Sequence, residues 1–329
     1  MKKLSSITVR REIFLAVLLA LTLVALTPAF AADRQSLDDA RWTGPLETSN
    51  PNVIPVGHLY IETYFTVTQD NGGGYDQNGN NISGHRIENN YDSTTLFAYG
   101  AAKNFNVQFL PGFSGTQGGS GVPSSSGASM DNLTVRTPYQ FVHYKPGKWY
   151  PSFTLSPGFI APLATGDGNV WTPWFGLWAQ RPFWMPNGRI LRVRANQDFF
   201  FPLQGQTFPA TSTVCNGKAA CTLNDGKYYK TLVGLEYSLT KKWVPAWDFY
   251  WKYGSGNVVN NTVGGARQSC STFVKANGSC DSFRSLRIDP ALEYNFTGNV
   301  GVIFGAELTV TGRNSGYYIA PQIALQWYK

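Results

Sequence analysis

The chain has 329 residues, of which 15% are aromatic and 14% charged, against about 25% charged in an average soluble domain. Few charges among many rings exclude a disordered charged tail, and 34 Gly, 17 Tyr, 10 Trp and 21 Phe favour strands and turns over helices. The formal charge of +7 falls to +4 without the first 31 residues, which hold four Lys/Arg and one Glu, and that is too dilute for a nucleic-acid footprint.

In chain order, the first element reads as an export signal. Lys2, Lys3, Arg10 and Arg11 form a basic head, Ile13 to Thr27 an apolar run, and Ala29-Phe30-Ala31 a small-residue cleavage site. The apolar run is short for a helical span of about 20 residues, so cleavage after Ala31 is expected. Residues 32–56 then form a periplasmic N-terminal segment, and 57–329 the body.

From Gly57 onward apolar and polar residues alternate with a period of two. Trp243, Pro245, Trp247, Phe249, Trp251 and Tyr253, for example, alternate with Val244, Ala246, Asp248, Tyr250 and Lys252. Strands are expected at 57–69, 91–102, 104–115, 131–145, 149–163, 169–184, 189–203, 226–240, 243–258, 281–296, 299–312 and 315–328. The even-numbered connections are tight, at Lys103, at 145–148, at 186–188, at Lys241-Lys242 and at Thr297-Gly298. The odd-numbered ones are long except the last, near Arg313-Asn314.

An even strand count with alternating short and long connections predicts an all-β fold, a transmembrane antiparallel up-and-down β-barrel of about 12 strands in an outer membrane. Short turns would face the periplasm and long loops the outside. Trp149, Trp184, Trp243 and Trp327 beside the turns, with Trp171 and Trp174 at the other end, suggest two aromatic girdles. Pro138, Pro157, Pro245, Pro290 and Pro321 oppose this reading, because proline inside a sheet is confined to edges, bulges and strand starts.

The faces opposite the apolar ones would line the lumen. They carry Arg136, Arg192, Arg194, Lys230, Lys252 and Arg287 together with Glu62, Asp198, Glu236, Asp248, Asp289, Glu293 and Glu307. Such balance argues against a pore selective for one sign of ion and predicts cross-strand pairs. Twelve tilted strands give a backbone diameter of roughly 24 Å. Side chains would leave an opening on the order of 10 Å.

Cys215, Cys221, Cys270 and Cys280 lie in two polar loops of an exported chain, so two local disulfides are expected, Cys215 with Cys221 and Cys270 with Cys280. No metal site is expected, since neither pair is C-x-x-C and no His lies near. Asp76-Gln77-Asn78-Gly79-Asn80 only faintly echoes a calcium loop, with Asn81 where Gly would stand. No G-x-S-x-G or H-E-x-x-H occurs, so no catalytic residue or cofactor is assigned.

The stretch from Gly44-Pro45 to Pro55-Val56-Gly57-His58-Leu59-Tyr60-Ile61-Glu62-Thr63 resembles the start of a family of outer-membrane proteins assigned to transport in the phenol meta-cleavage pathway. Residues 99–107 and 158–168 are also similar to that family. The resemblance implies a barrel that takes up small aromatic or hydrophobic compounds and points to no binding residues. The expected function is passive passage of small molecules. A structural or adhesive barrel is the alternative, and a barrel enzyme acting on lipid the third. Expected partners are outer-membrane lipid, the barrel-assembly machinery and a small-molecule solute, without nucleic acid.

Overall fold

The computed structural model describes residues 34–37, 40–42, 44–84, 88–118, 127–163, 170–203, 206–208, 221–256, 258–261, 267–269 and 282–329. Twelve long strands follow one another as a meander: β1 (Leu59–Tyr75), β2 (Glu88–Ala102), β3 (Phe105–Gly118), β4 (Ser129–Arg136, resuming at Tyr139–Val142), β5 (Ser152–Pro162) and β6 (Thr172–Trp184). They continue as β7 (Ile190–Phe200), β8 (Tyr228–Tyr237), β9 (Trp243–Gly254), β10 (Phe283–Asn295), β11 (Val300–Arg313) and β12 (Ser315–Tyr328). Each pairs antiparallel with its neighbours, and β12 pairs back with β1 from Tyr60↔Tyr328 to Tyr75↔Ser315. The barrel is closed.

The period of two in the sequence becomes two faces of one wall. On β9 Val244, Ala246, Asp248 and Tyr250 are buried inside, while Trp243 and Trp251 are exposed outside. Phe65, Phe97, Phe109, Leu177, Phe304 and Ile323 join that outer apolar surface. A surface of this kind suits hydrocarbon, and closure leaves no strand edge unpaired there.

Each of the five prolines lies where one ladder is interrupted, which removes the conflict with a closed sheet. An antiparallel residue directs its N–H and C=O to the same neighbour, so a missing N–H is harmless when that side is open. Pro138 sits in the break of β4. Pro157 lies opposite that break, where its carbonyl accepts the Thr137 N–H at 2.9 Å. The β8–β9 ladder stops at Ala246, one residue short of Pro245. The β10–β11 ladder skips Asp289 and Pro290, and the β1–β12 ladder skips Ala320 and Pro321.

Tight turns close one end, with Asn104 (φ 64°), Gly147 (φ 84°) and Gly188 (φ 76°) in the left-handed region that two- to four-residue turns demand. At the opposite end, four short strands form a second sheet in the order Gln206–Phe208, Cys221–Asn224, Val258–Asn261, Arg267–Ser269. It joins the two cysteine-bearing connections, Cys221 opposite Asn261. The side chains of all four cysteines, and with them both expected disulfides, lie outside the described residues.

Candidate functional site

The described part of residues 34–56 does not stand apart from the barrel; it runs through the lumen. It enters at the turn end, where the Gln35 N–H donates to the Gly188 carbonyl at 3.0 Å and Trp184 Nε1 donates to the Gln35 carbonyl at 2.9 Å. Arg192 lies over the Trp42 ring. At mid-barrel Leu46 packs with Ala246, Ile303 and Ala324 in a small apolar cluster. The chain then returns along β3 to β5. Thr154 donates to the Pro51 carbonyl, the Val53 N–H donates to Gln140 at 3.3 Å, and the Ile54 N–H donates to Asn106 at 3.1 Å.

The turning point is fixed by charged wall residues. Asp248 accepts the Thr48 hydroxyl on one oxygen and the Glu47 N–H, at 2.8 Å, on the other. Arg194 donates to the Thr48 carbonyl at 3.1 Å, and Arg136 donates to the Ser49 hydroxyl at 3.2 Å. Gly44 adopts φ +115°, a conformation a side chain would strain, with Arg194 against it. The opening expected from barrel width is therefore taken up by the protein's own chain.

Of the thirteen charged residues expected to line the lumen, Glu62, Arg192, Arg194, Asp198, Glu236, Asp248, Asp289, Glu293 and Glu307 are buried, and Arg136, Lys230, Lys252 and Arg287 are half-buried. Glu236 has no solvent exposure. It accepts two hydrogen bonds from Arg192, one of 2.6 Å through Nε, and faces Arg194 Nε at 3.0 Å. Arg287 pairs with Glu307 at 2.8 Å, and the Tyr318 hydroxyl donates to the same carboxylate at 3.0 Å. Glu62 accepts from Tyr64 at 2.6 Å, Asp198 from Trp178 Nε1 at 2.9 Å, and Asp289 from Gln322. Glu293 is buried beside this network. Lys230 lies over Phe200 and Tyr250, and Lys252 over Tyr228 and Phe283, within 5.5 Å of each ring centroid.

Toward the long-loop end the wall turns aromatic. Trp174, Trp178 and Phe200 form a buried cluster, with Phe200 stacked on Tyr228 at 4.4 Å. Trp174 thus faces inward, and Trp184 holds the N-terminal segment, so neither joins the girdles expected from sequence. Trp149, Trp243, Trp327 and Trp171 are exposed as a girdle requires. Two spaces flank the segment. One of about 110 Å³ lies between residues 44–54 and Glu62, Arg136 and Arg194. The other, of about 590 Å³, opens at the turn end beside Trp42, Gln180 and Lys103.

The Asp76 loop is explained without an ion. Its carboxylate accepts the Asn78 and Asn80 N–H groups, at 2.7 and 2.8 Å, and the Asn80 side-chain amide at 2.9 Å. These bonds, the Asn80 amide foremost, hold the carboxyl below its ordinary pKa. Among the described residues no group of three metal-ligating side chains is gathered.

Fold and lining together define the class: a closed twelve-stranded barrel of the outer-membrane type, apolar outside and charged within. The chain matches no protein-family model and no curated protein. It is similar in structure to the COG4313 outer membrane channel from Pseudomonas putida F1, with TM-score 0.64 and 11% identity over 88% of this chain and 100% of that one. It also matches the NanC porin (TM-score 0.43, 8% identity, 81% and 98% covered) and a variant of the TodX monoaromatic hydrocarbon channel (TM-score 0.39, 9%, 84% and 90%). At such identities the likeness supports the fold alone.

Proposed function

We propose that this protein is an outer-membrane channel for passive uptake of small molecules, aromatic or hydrophobic ones among them, and that residues 44–50 close its passage. One observation carries the reading. The segment is held by hydrogen bonds and one small apolar contact, while every wall strand has its neighbours without it, so it can leave the lumen with the barrel intact. The aromatic wall beyond it supports aromatic solutes, because ring faces stack at 4.5–7 Å. The resemblance to transport proteins of phenol meta-cleavage and the channel description of the Pseudomonas putida neighbour lend support. In this reading the export signal is cleaved after Ala31, assembly uses the barrel machinery, and the turns face the periplasm.

Planar-bilayer recording of purified protein, beside a variant lacking residues 41–50, tests it. The intact chain should give small or rare steps, and the shortened chain large discrete ones. A second reading, a structural or adhesive barrel without a pore, is favoured by the filled lumen. It is the right one if the shortened chain is silent as well.

A further inference from the structure

The turn end of the barrel carries an ordered excess of positive charge that the passage of solutes does not use. Lys103 stands in the β2–β3 turn, Lys145 and Lys148 in the β4–β5 turn, Lys241 and Lys242 in the β8–β9 turn, and Lys329 follows β12; all six are exposed. Arg189 adds a half-buried cation in the β6–β7 turn. None of the turns at this end contains Asp or Glu. The carboxylates nearest to it in sequence, Glu236 and Glu293, are buried on the inner face. Asp38 and Asp39 of the N-terminal segment lie outside the described residues. The opposite end is mixed, with Asp76, Glu88 and Asp225 beside Lys227, Arg284 and Arg313.

The cations are set on an aromatic belt. Trp149, one residue from Lys148, is 80% exposed, and Trp243, next to Lys242, is 40% exposed. Trp327, two residues before Lys329, and Phe141, four before Lys145, are exposed as well. Arg181 on the outer face donates to the Trp149 carbonyl and so fixes where that ring begins. Lys242 Nζ lies 5.9 Å above the Tyr294 ring. Exposed Trp and Phe at the rim mark headgroup depth, and lysine stems beside them reach the polar layer with the ammonium outermost. An acidic soluble protein would be met by the turn tips alone and gives no reason for the rings beside them.

We infer that this rim is a binding surface for anionic phospholipid headgroups, with several lipids spaced around the barrel mouth, each met by a lysine and an adjacent ring. Its orientation rests on the topology proposed above, but lipid binding does not depend on conduction. The binding should be electrostatic in origin and weaken with salt, since exposed charges are screened over about 10 Å at 0.1 M.

The test uses the full-length mature protein in bilayers that mix brominated phosphatidylglycerol or brominated phosphatidylcholine with unlabelled lipid, reading quenching of tryptophan fluorescence. Phosphatidylglycerol should quench with a relative binding constant on the order of fivefold or more above phosphatidylcholine, and 0.5 M NaCl should bring the two together. Changing Lys103, Lys145, Lys148, Lys241 and Lys242 together to Gln should erase the preference. If that chain does not assemble, the pair Lys145→Gln and Lys148→Gln should reduce it. Equal quenching by both lipids in the unaltered protein overturns the inference, as does a preference that survives the substitutions. Loss of the preference in 10 mM inorganic phosphate overturns it too, since the site would then hold free phosphate rather than a headgroup. Channel activity that persists alongside any of these failures leaves the functional reading standing.

Discussion

Asp248 lies two hundred residues beyond Thr48, yet its carboxylate holds that threonine's hydroxyl on one oxygen and the N–H of Glu47 on the other at 2.8 Å. The pair joins the wall of the barrel to the turning point of the segment inside it. Neither partner is solvent-exposed. The arrangement makes Asp248 the point at which closure can be weakened without touching the ladder.

Replacing Asp248 with Ala should therefore open the passage. Hydrogen bonds to a charged group contribute about 1.5–3 kcal/mol each, so losing two shifts the held equilibrium by on the order of 100-fold or more. Open probability in a planar bilayer should rise, and Asp248→Asn should fall between the two. An Asp248→Ala barrel as closed as the parent would mean that the segment is held elsewhere.

Gly234 offers the same result by steric means. A Cβ built there meets Thr48 Oγ1 at 2.9 Å, Asp248 Oδ1 at 3.0 Å and Pro45 Cγ at 3.0 Å. Valine belongs naturally in a strand, so Gly234→Val should leave the folded barrel band on an unheated gel while displacing residues 45–48. The segment should then become cleavable by added protease. Protection equal to the parent's would show that the wall, not the segment, had yielded.

The wall was legible in the sequence because two signals agree along each strand. The alternation in residues 243–253 predicted which side of β9 is apolar, and Lys103, Gly147 and Lys241 marked turns where turns are found. The mid-strand prolines looked contradictory only because ladder interruptions are tertiary facts, set by a neighbouring strand. The same period is what led to the expectation of inward charges. Their partners were legible only in part: Arg287 with Glu307 follows from adjacent strands, whereas Asp248 with Thr48 does not. Residues 34–56 have neither period, so nothing local announced that the described part of them enters the lumen.

Glu236 should govern stability more than closure. It has no exposure and receives Arg192 through two hydrogen bonds, with Arg194 at 3.0 Å. Glu236→Ala leaves two buried guanidinium groups without their carboxylate, a loss of about 3–5 kcal/mol by the usual cost of breaking a buried pair. Urea unfolding in detergent should show it as a lower midpoint. Adding Arg192→Ala to Glu236→Ala should cost less than the sum of the two single changes, since each removes the other's partner. Additive losses would mean that the two groups do not act as a pair.

The orientation of the barrel is the remaining prediction, and one insertion site at each end decides it. Gly118 ends β3 at the long-loop end, and Lys241-Lys242 form the β8–β9 turn at the other. Outer-membrane barrels keep short turns in the periplasm and long loops outside, so a peptide tag after Gly118 should be labelled by antibody on intact cells. A tag between Lys241 and Lys242 should be reached only after the outer membrane is permeabilised. Both insertions lie where no ladder bond runs through the inserted point, so the folded band on an unheated gel should survive them. Labelling at Lys241 on intact cells would invert the barrel, place the basic rim outside and remove the periplasmic-leaflet lipids from its reach.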